Sequence, residues 1–281
     1  MYNNAMSERP KSYIGVSGVV SPEQQEWLEH YARPLDVLDR KLLLGVKAVH
    51  KTQWLDGPNK YGPGWYPIGD EIARSVQKRN GNTILTAQVF LDHAEARRSG
   101  TEDYPERFVQ KLIGRTGLWL DAVQFDMLPW HEQDFRPLFE EMKLAKPDLD
   151  IILQCQKPIM ETNSPQEIVQ RLDSYRPYVS HVLFDASHGT GQRLDAQALR
   201  PFVAKAFERE WLGVGVAGGL DGEIVREELP TVLSEFPDLS FDAEGRLHQN
   251  LNEQDRRLNR NRTSHYLEQS IDAVRRSMFR V

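Results

Sequence analysis

Eight short apolar runs, each parted from the next by a stretch with helical signatures, limit most strongly what this chain can fold into. The runs are Tyr13–Val16, Leu42–Val49, Thr83–Leu91, Ala122–Phe125, Ile151–Gln154, His181–Phe184, Gly213–Val216 and Leu239–Phe241. Most are rich in Val, Ile, Leu and Phe, the pattern of strands covered on both faces. The segments between them carry helix starts and helical spacing. Ser21-Pro22-Glu23-Gln24 and Ser164-Pro165-Gln166-Glu167 each place a capping serine before a proline at the first helical position. Leu199, Phe202, Val203 and Phe207 recur at helical intervals, as do Ile224, Val225 and Leu229. Tyr266, Leu267, Ile271, Val274 and Met278 predict a closing amphipathic helix. Such alternation builds either a closed (β/α)₈ TIM barrel or an open doubly wound sheet, and a count of eight favours the barrel.

The length of 281 residues suits one such barrel, and no low-complexity linker divides it, so residues 1–281 read as a single domain. Two inserts stand out, at 51–69 and 249–262. A long loop must be ordered against an entropic cost, so the first, rich in Gly, Pro and aromatic residues, is expected to cover the pocket. Its Trp54, Tyr61, Trp65 and Tyr66 either stack on a planar substrate ring or anchor the loop to the barrel rim.

A formal charge of −6 excludes the basic balance of a nucleic-acid-binding surface. The basic cluster Arg256, Arg257, Arg260 and Arg262 is interrupted by acidic and amide residues and reads as a solvated face. The lone cysteine, Cys155, has no partner for an intrachain disulfide. No apolar stretch reaches the roughly 18 residues of a membrane span, and Met1 to Lys11 lacks the apolar segment of a secretion signal. A cytoplasmic protein with no membrane partner is expected.

In barrels of this kind, reactive groups sit just beyond the C-terminal ends of the strands. That rule collects Ser17 and Gly18, His50 and Lys51, Asp92 and His93, Asp126, Gln156 and Lys157, Asp185 with Ser187 and His188, Gly218 and Gly219, and Asp242, Glu244 and Arg246. Two glycine turns carry most weight: Asp185-Ala186-Ser187-His188-Gly189-Thr190-Gly191 and Ala217-Gly218-Gly219-Leu220. Glycines bring backbone N–H groups close to an anion, and a helix N-terminus adds partial positive charge. Gly189, Thr190, Gly191, Gly218 and Gly219 are therefore candidate phosphate-binding positions. Asp92-His93, His131-Glu132 and His188 offer metal ligands, but no closed-site spacing appears, so no metal and no other cofactor is expected.

The residues resemble those of the phosphoribosylanthranilate isomerase family. Gly15-Val16-Ser17-Gly18-Val19-Val20-Ser21-Pro22-Glu23 is similar to its opening strand and loop, and Ala122-Val123-Gln124-Phe125-Asp126-Met127 to its Val-Val-Gln-Leu-His-Gly strand. Leu183-Phe184-Asp185-Ala186-Ser187-His188-Gly189-Thr190-Gly191, Val216-Ala217-Gly218-Gly219-Leu220 and Ala243-Glu244-Gly245-Arg246-Leu247 resemble its later strand ends. The order runs from about Tyr13 to Met278. The resemblance implies an Amadori-type rearrangement of a phosphorylated aminoaldose, with Asp185 as general acid. It also implies a phosphate held near Gly245 and Arg246. Ser17 stands where the family has its base cysteine, and Ala243-Glu244 where it has Ser-Ser. A serine hydroxyl abstracts a proton only with a base beside it, and Asp92, His93 and Asp126 are the candidates.

Two other readings stay open. Lys47, on the second strand, is a candidate Schiff-base lysine of a lyase, although an inward lysine paired to a carboxylate is the commoner arrangement. The chain could also be a barrel that binds a phosphosugar or nucleotide without turnover. Ligand-dependent thermal stabilisation unaffected by Asp185→Asn would mark that case.

Overall fold

The computed structural model describes residues 8–49, 81–90, 106–116, 119–126, 128–187, 193–250 and 256–278. Eight parallel strands close into a barrel in sequence order: β1 (Tyr13–Ser17), β2 (Lys41–Val49), β3 (Thr83–Phe90), β4 (Ala122–Asp126), β5 (Asp150–Gln156), β6 (His181–Asp185), β7 (Gly213–Ala217) and β8 (Ser240–Ala243). The ring shuts where Ile14, Gly15 and Val16 of β1 pair with Phe241, Asp242 and Ala243 of β8. The chain is a (β/α)₈ TIM barrel, as the eight apolar runs predict.

The helices described between the strands are α1 (Pro22–Leu28), α2 (Ala32–Val37), α3 (Glu106–Thr116), α4 (Arg136–Ala145), α5 (Lys157–Thr162), α6 (Pro165–Asp173), α7 (Ala196–Phe207) and α8 (Gly222–Glu235), and α9 (Arg260–Met278) follows the last strand. Their starts are written in the sequence. Ser21 accepts a hydrogen bond from the Gln24 N–H, and Ser164 and Glu167 form a reciprocal capping box. Asp195 and Asp221 cap α7 and α8 in the same way, through the N–H groups of Ala198 and Ile224. The α9 helix also locks the barrel seam: the buried Tyr266 hydroxyl donates to Gly15 O at 3.1 Å and lies 3.4 Å from Phe241 O.

Side chains alternate strictly along each strand. Outward residues such as Ile14, Val16, Leu42, Leu44, Val182 and Phe184 join the helices in one apolar layer. The inward residues Tyr13, Leu43, Ile84, Ala122, Ile152, Leu183 and Ala217 form a separate apolar cluster within the ring. Moving by twos toward the strand ends, the inward positions turn polar: Ser17, Lys47, Gln88, Gln124, Asp126, Gln154, Gln156, Asp185, Asp242 and Glu244. Removing so many polar groups from water is costly unless each finds partners, and the upper lumen is accordingly a hydrogen-bonded network.

Three expectations are corrected. Asp126 and Asp242 lie within their strands, because β4 and β8 run on past Phe125 and Phe241. The 249–262 insert begins and ends in regular structure, with 251–255 outside the described residues. His248–Asn250 (β9) pairs antiparallel with Arg256–Leu258 (β10), and α9 starts at Arg260. The arginines there are not merely solvated: Arg262 donates to His248 O at 2.8 Å and Arg260 sits over the Trp27 ring at 5.6 Å. The 51–69 insert, with Trp54, Tyr61, Trp65 and Tyr66, lies outside the described residues.

Candidate active site at the barrel mouth

The C-terminal ends of the strands bring four carboxylates toward one axis. Deepest is Asp242 on β8, 4% exposed. The Ser17 hydroxyl from β1 lies 3.1 and 3.0 Å from its two oxygens. Gln88 Nε2 from β3 donates to Asp242 Oδ2 at 3.2 Å and also to Ser17 Oγ, and Gln124 from β4 donates as well. Two glycines make this cluster possible. A Cβ at Gly15 would stand 2.6 Å from Asp242 Oδ1, and one at Gly45 would stand 2.7 Å from Ser17 Oγ. Burial raises Asp242 from 3.8 to about 7, the Ser17 hydrogen bond pulls it back, and nearby Glu244 pushes it further up.

Above this cluster, Lys47 Nζ from β2 meets Glu244 Oε1 at 2.6 Å, with side chains 12% and 28% exposed. Asp126 ends β4 and accepts from Gln156 Nε2 of β5. Burial lifts its carboxyl to about 6; Lys47 draws it down, while Glu244 and Asp185 push it up. Asp126, Asp185, Glu244 and Lys47 therefore share one field. Asp185, ending β6, is held by three donors: Gln154 Nε2 at 2.7 Å on Oδ2, and Ser187 N and Oγ at 2.7 and 2.8 Å on Oδ1. Gly218 (φ 101°) and Gly219 (φ 63°) turn the chain after β7 so tightly that any side chain at 218 would overlap Asp185 and Ser187.

The structure sets Asp126 and Asp185 at the strand ends with Gly218 beside Asp185, puts Ser17 against Asp242 and Gln88, and revises several roles. Ser17 is fully buried and engaged by Asp242 and Gln88, so its hydroxyl faces the barrel interior rather than a substrate. Among the described residues the carboxylate bonded to it is Asp242, in place of the expected Asp126; Asp92 and His93 lie outside the described residues. The candidate phosphate positions are taken up differently. Arg246 pairs with Asp221 at 3.0 Å, and Asp221 places its own carboxylate on the first turn of α8, which also carries Glu223. Gly245 opens a 3₁₀ turn over Gly245–Leu247, while His50, Lys51, His188, Gly189, Thr190 and Gly191 lie outside the described residues. Lys47, the candidate Schiff-base lysine, is paired to Glu244 at 2.6 Å, the commoner arrangement for an inward lysine.

The sequence reading placed Asp242 and Glu244 among strand-end residues but missed that they are the partners of Ser17 and Lys47. The signal was present: Asp242 on β8 and Glu244, one residue past its end, are two apart, and Asp242 pairs with the inward Gly15 of β1. Among the described residues no group of three His, Cys, Asp or Glu side chains is placed to hold a metal. No described helix is long and apolar enough to cross a membrane. A groove of about 530 Å³ lined by Asp173, Arg176, Arg209 and Trp211 lies at the opposite end of the barrel, where α6 finishes and β7 begins, away from these carboxylates.

No family model and no curated protein matches the chain. Among solved structures, it is similar to a tryptophan synthase alpha subunit from Legionella pneumophila, with 14% identity, a TM-score of 0.55, and coverage of 94% of this chain and 93% of that one. It is also similar to active domain 2 of a chitinase from Pyrococcus furiosus, with 10% identity, a TM-score of 0.60, and coverage of 97% and 98%. At these identities the likeness speaks to the barrel fold alone.

Proposed function

We propose that the chain is a barrel enzyme that shuttles protons on a small aminoaldose, an Amadori-type aldose–ketose isomerisation. The observation that carries this reading is the pair Asp126 and Asp185, which end β4 and β6 at one mouth, with Asp126 held near 6. The reaction needs an acid to protonate the ring oxygen and open the sugar to an iminium ion. It then needs a base to remove the C2 proton, giving an enolamine that becomes the ketone when C1 is protonated. Asp126 takes the proton-donating half, because a carboxyl near 6 keeps a useful protonated fraction at neutral pH. Asp185 takes the accepting half, the reverse of the general-acid role that the resemblance implies for it. Three donated hydrogen bonds fix the position of both its oxygens. Ser17 and Asp242 form the floor that positions Gln88 and Gln124 beneath the mouth.

The test is conversion of N-substituted aldosylamines, with and without a terminal phosphate, followed in D₂O. Turnover with deuterium appearing at C1 of the ketose supports the reading. Asp126→Asn and Asp185→Asn should each lower kcat by roughly 10²- to 10⁴-fold. Wild-type protein that binds aldosylamines and never converts them would refute it, as would rates untouched by both substitutions.

A further inference from the structure

The charge arrangement of the mouth argues about what the substrate carries. We infer that this site selects a polyhydroxy amine bearing a positive charge and no phosphate. The inference rests on the isomerase reading and names the substrate class of the same site. Its first support is the field at the mouth. Asp185 and Glu244 both act on Asp126 there with Asp242 beneath, and among the described residues Lys47 is the one cation acting on both Asp126 and Asp242. Lys47 is already in contact with Glu244 at 2.6 Å, so an incoming anion would have to compete with that carboxylate for it.

The second support is independent and lies on β7, β8 and α8, where phosphate sites of such barrels are frequently built. The first turn of α8 already carries the acids Asp221 and Glu223, with the Asp221 carboxylate bonded to the Ile224 N–H at 3.0 Å. The nearby Arg246 guanidinium is bound to that same Asp221. The positive end of the helix and the adjacent arginine are thus compensated from within the chain. A phosphate dianion placed here would have to displace Asp221 from both the Ile224 N–H and Arg246. An ammonium group at the mouth would instead meet acceptors only partly matched by Lys47, and vicinal hydroxyls suit the same carboxylate oxygens, which accept hydrogen bonds and donate none.

The experiment is calorimetric titration of the full chain with D-glucosamine, D-glucose, D-glucosamine 6-phosphate and inorganic phosphate at low and high salt. D-Glucosamine should bind on the order of fivefold more tightly than D-glucose, as expected for about one uncompensated charge contact, and added salt should narrow the gap. Inorganic phosphate should neither bind nor compete. Glu244→Gln takes a carboxylate from Lys47 and from the mouth and should reverse the preference, weakening D-glucosamine and admitting D-glucosamine 6-phosphate. Lys47→Gln should strengthen D-glucosamine instead, and serves if Glu244→Gln does not fold. Tighter binding of the phosphorylated sugar by the native chain, competition by phosphate, or no binding of any probe overturns the inference. D-Glucosamine bound while aldosylamines go unconverted would leave it standing and remove the isomerase reading. Turnover only of phosphorylated aldosylamines would do the reverse.

Discussion

Replacing Asp242 with Asn should change how the stability of this barrel depends on pH more than it changes the fold. The side chain is 4% exposed and its carboxyl is raised from 3.8 to about 7, chiefly by burial. The folded chain therefore holds this proton more tightly than the unfolded chain does. The stability that comes from this preference is complete below about pH 4 and is lost as the pH rises to about 7. At about 1.4 kcal/mol for each tenfold in proton affinity, the rise from 3.8 to about 7 corresponds to about 4 kcal/mol, an upper figure because buried carboxyls relax and hydrate. Asn cannot ionise, so that component of the pH dependence should vanish in Asp242→Asn, whatever constant cost the lost Ser17 geometry adds. Urea unfolding of both proteins at several pH values between 4 and 8 measures it. Parallel curves for wild type and variant across that interval would refute the argument.

Other consequences can be checked separately. Gly218→Ala should cost about 1–3 kcal/mol and reduce activity, since the residue sits at φ 101° and its new Cβ would overlap Asp185, whereas Gly81→Ala, with nothing within 4 Å of the added atom, should melt like the wild type. The Cys155 thiol is buried and burial pushes its ionisation well up, so the folded protein should resist a thiol reagent that labels the chain fully in denaturant. Ser164→Ala breaks a capping box and should lower stability by about 1 kcal/mol without touching the mouth. The rate of the proposed isomerisation should fall as pH rises above about 6, and this limb should disappear in Asp126→Asn.

The scaffold was readable because its signals are local. A four- or five-residue run of buried β-formers such as His181–Phe184, or a Ser-Pro start such as Ser164-Pro165, states its conformation without help from distant residues. The site was readable only in position. Asp185 and Asp126 were placed by the rule that strand ends carry chemistry, and each does end its strand. The pairings were not legible. Ser17 finds Asp242 across 225 residues of sequence, and Lys47 reaches Glu244 across the intervening β1. Such contacts depend on ring closure and on the absence of a side chain at Gly15 and Gly45, which no nearby pattern announces. The fate of Arg246 was hidden for the same reason: its partner Asp221 belongs to a preceding helix cap.

The hydroxyl of Tyr266 has a consequence for biogenesis. It straddles the junction of the first and last strands, so the seam gains this clasp only after the segment bearing it has left the ribosome. Until β8 pairs with it, β1 offers an unsatisfied backbone edge, open to pairing with another nascent chain. A ribosome stalled before that point should hold a chaperone-dependent, protease-sensitive intermediate, and one stalled well after it a resistant barrel.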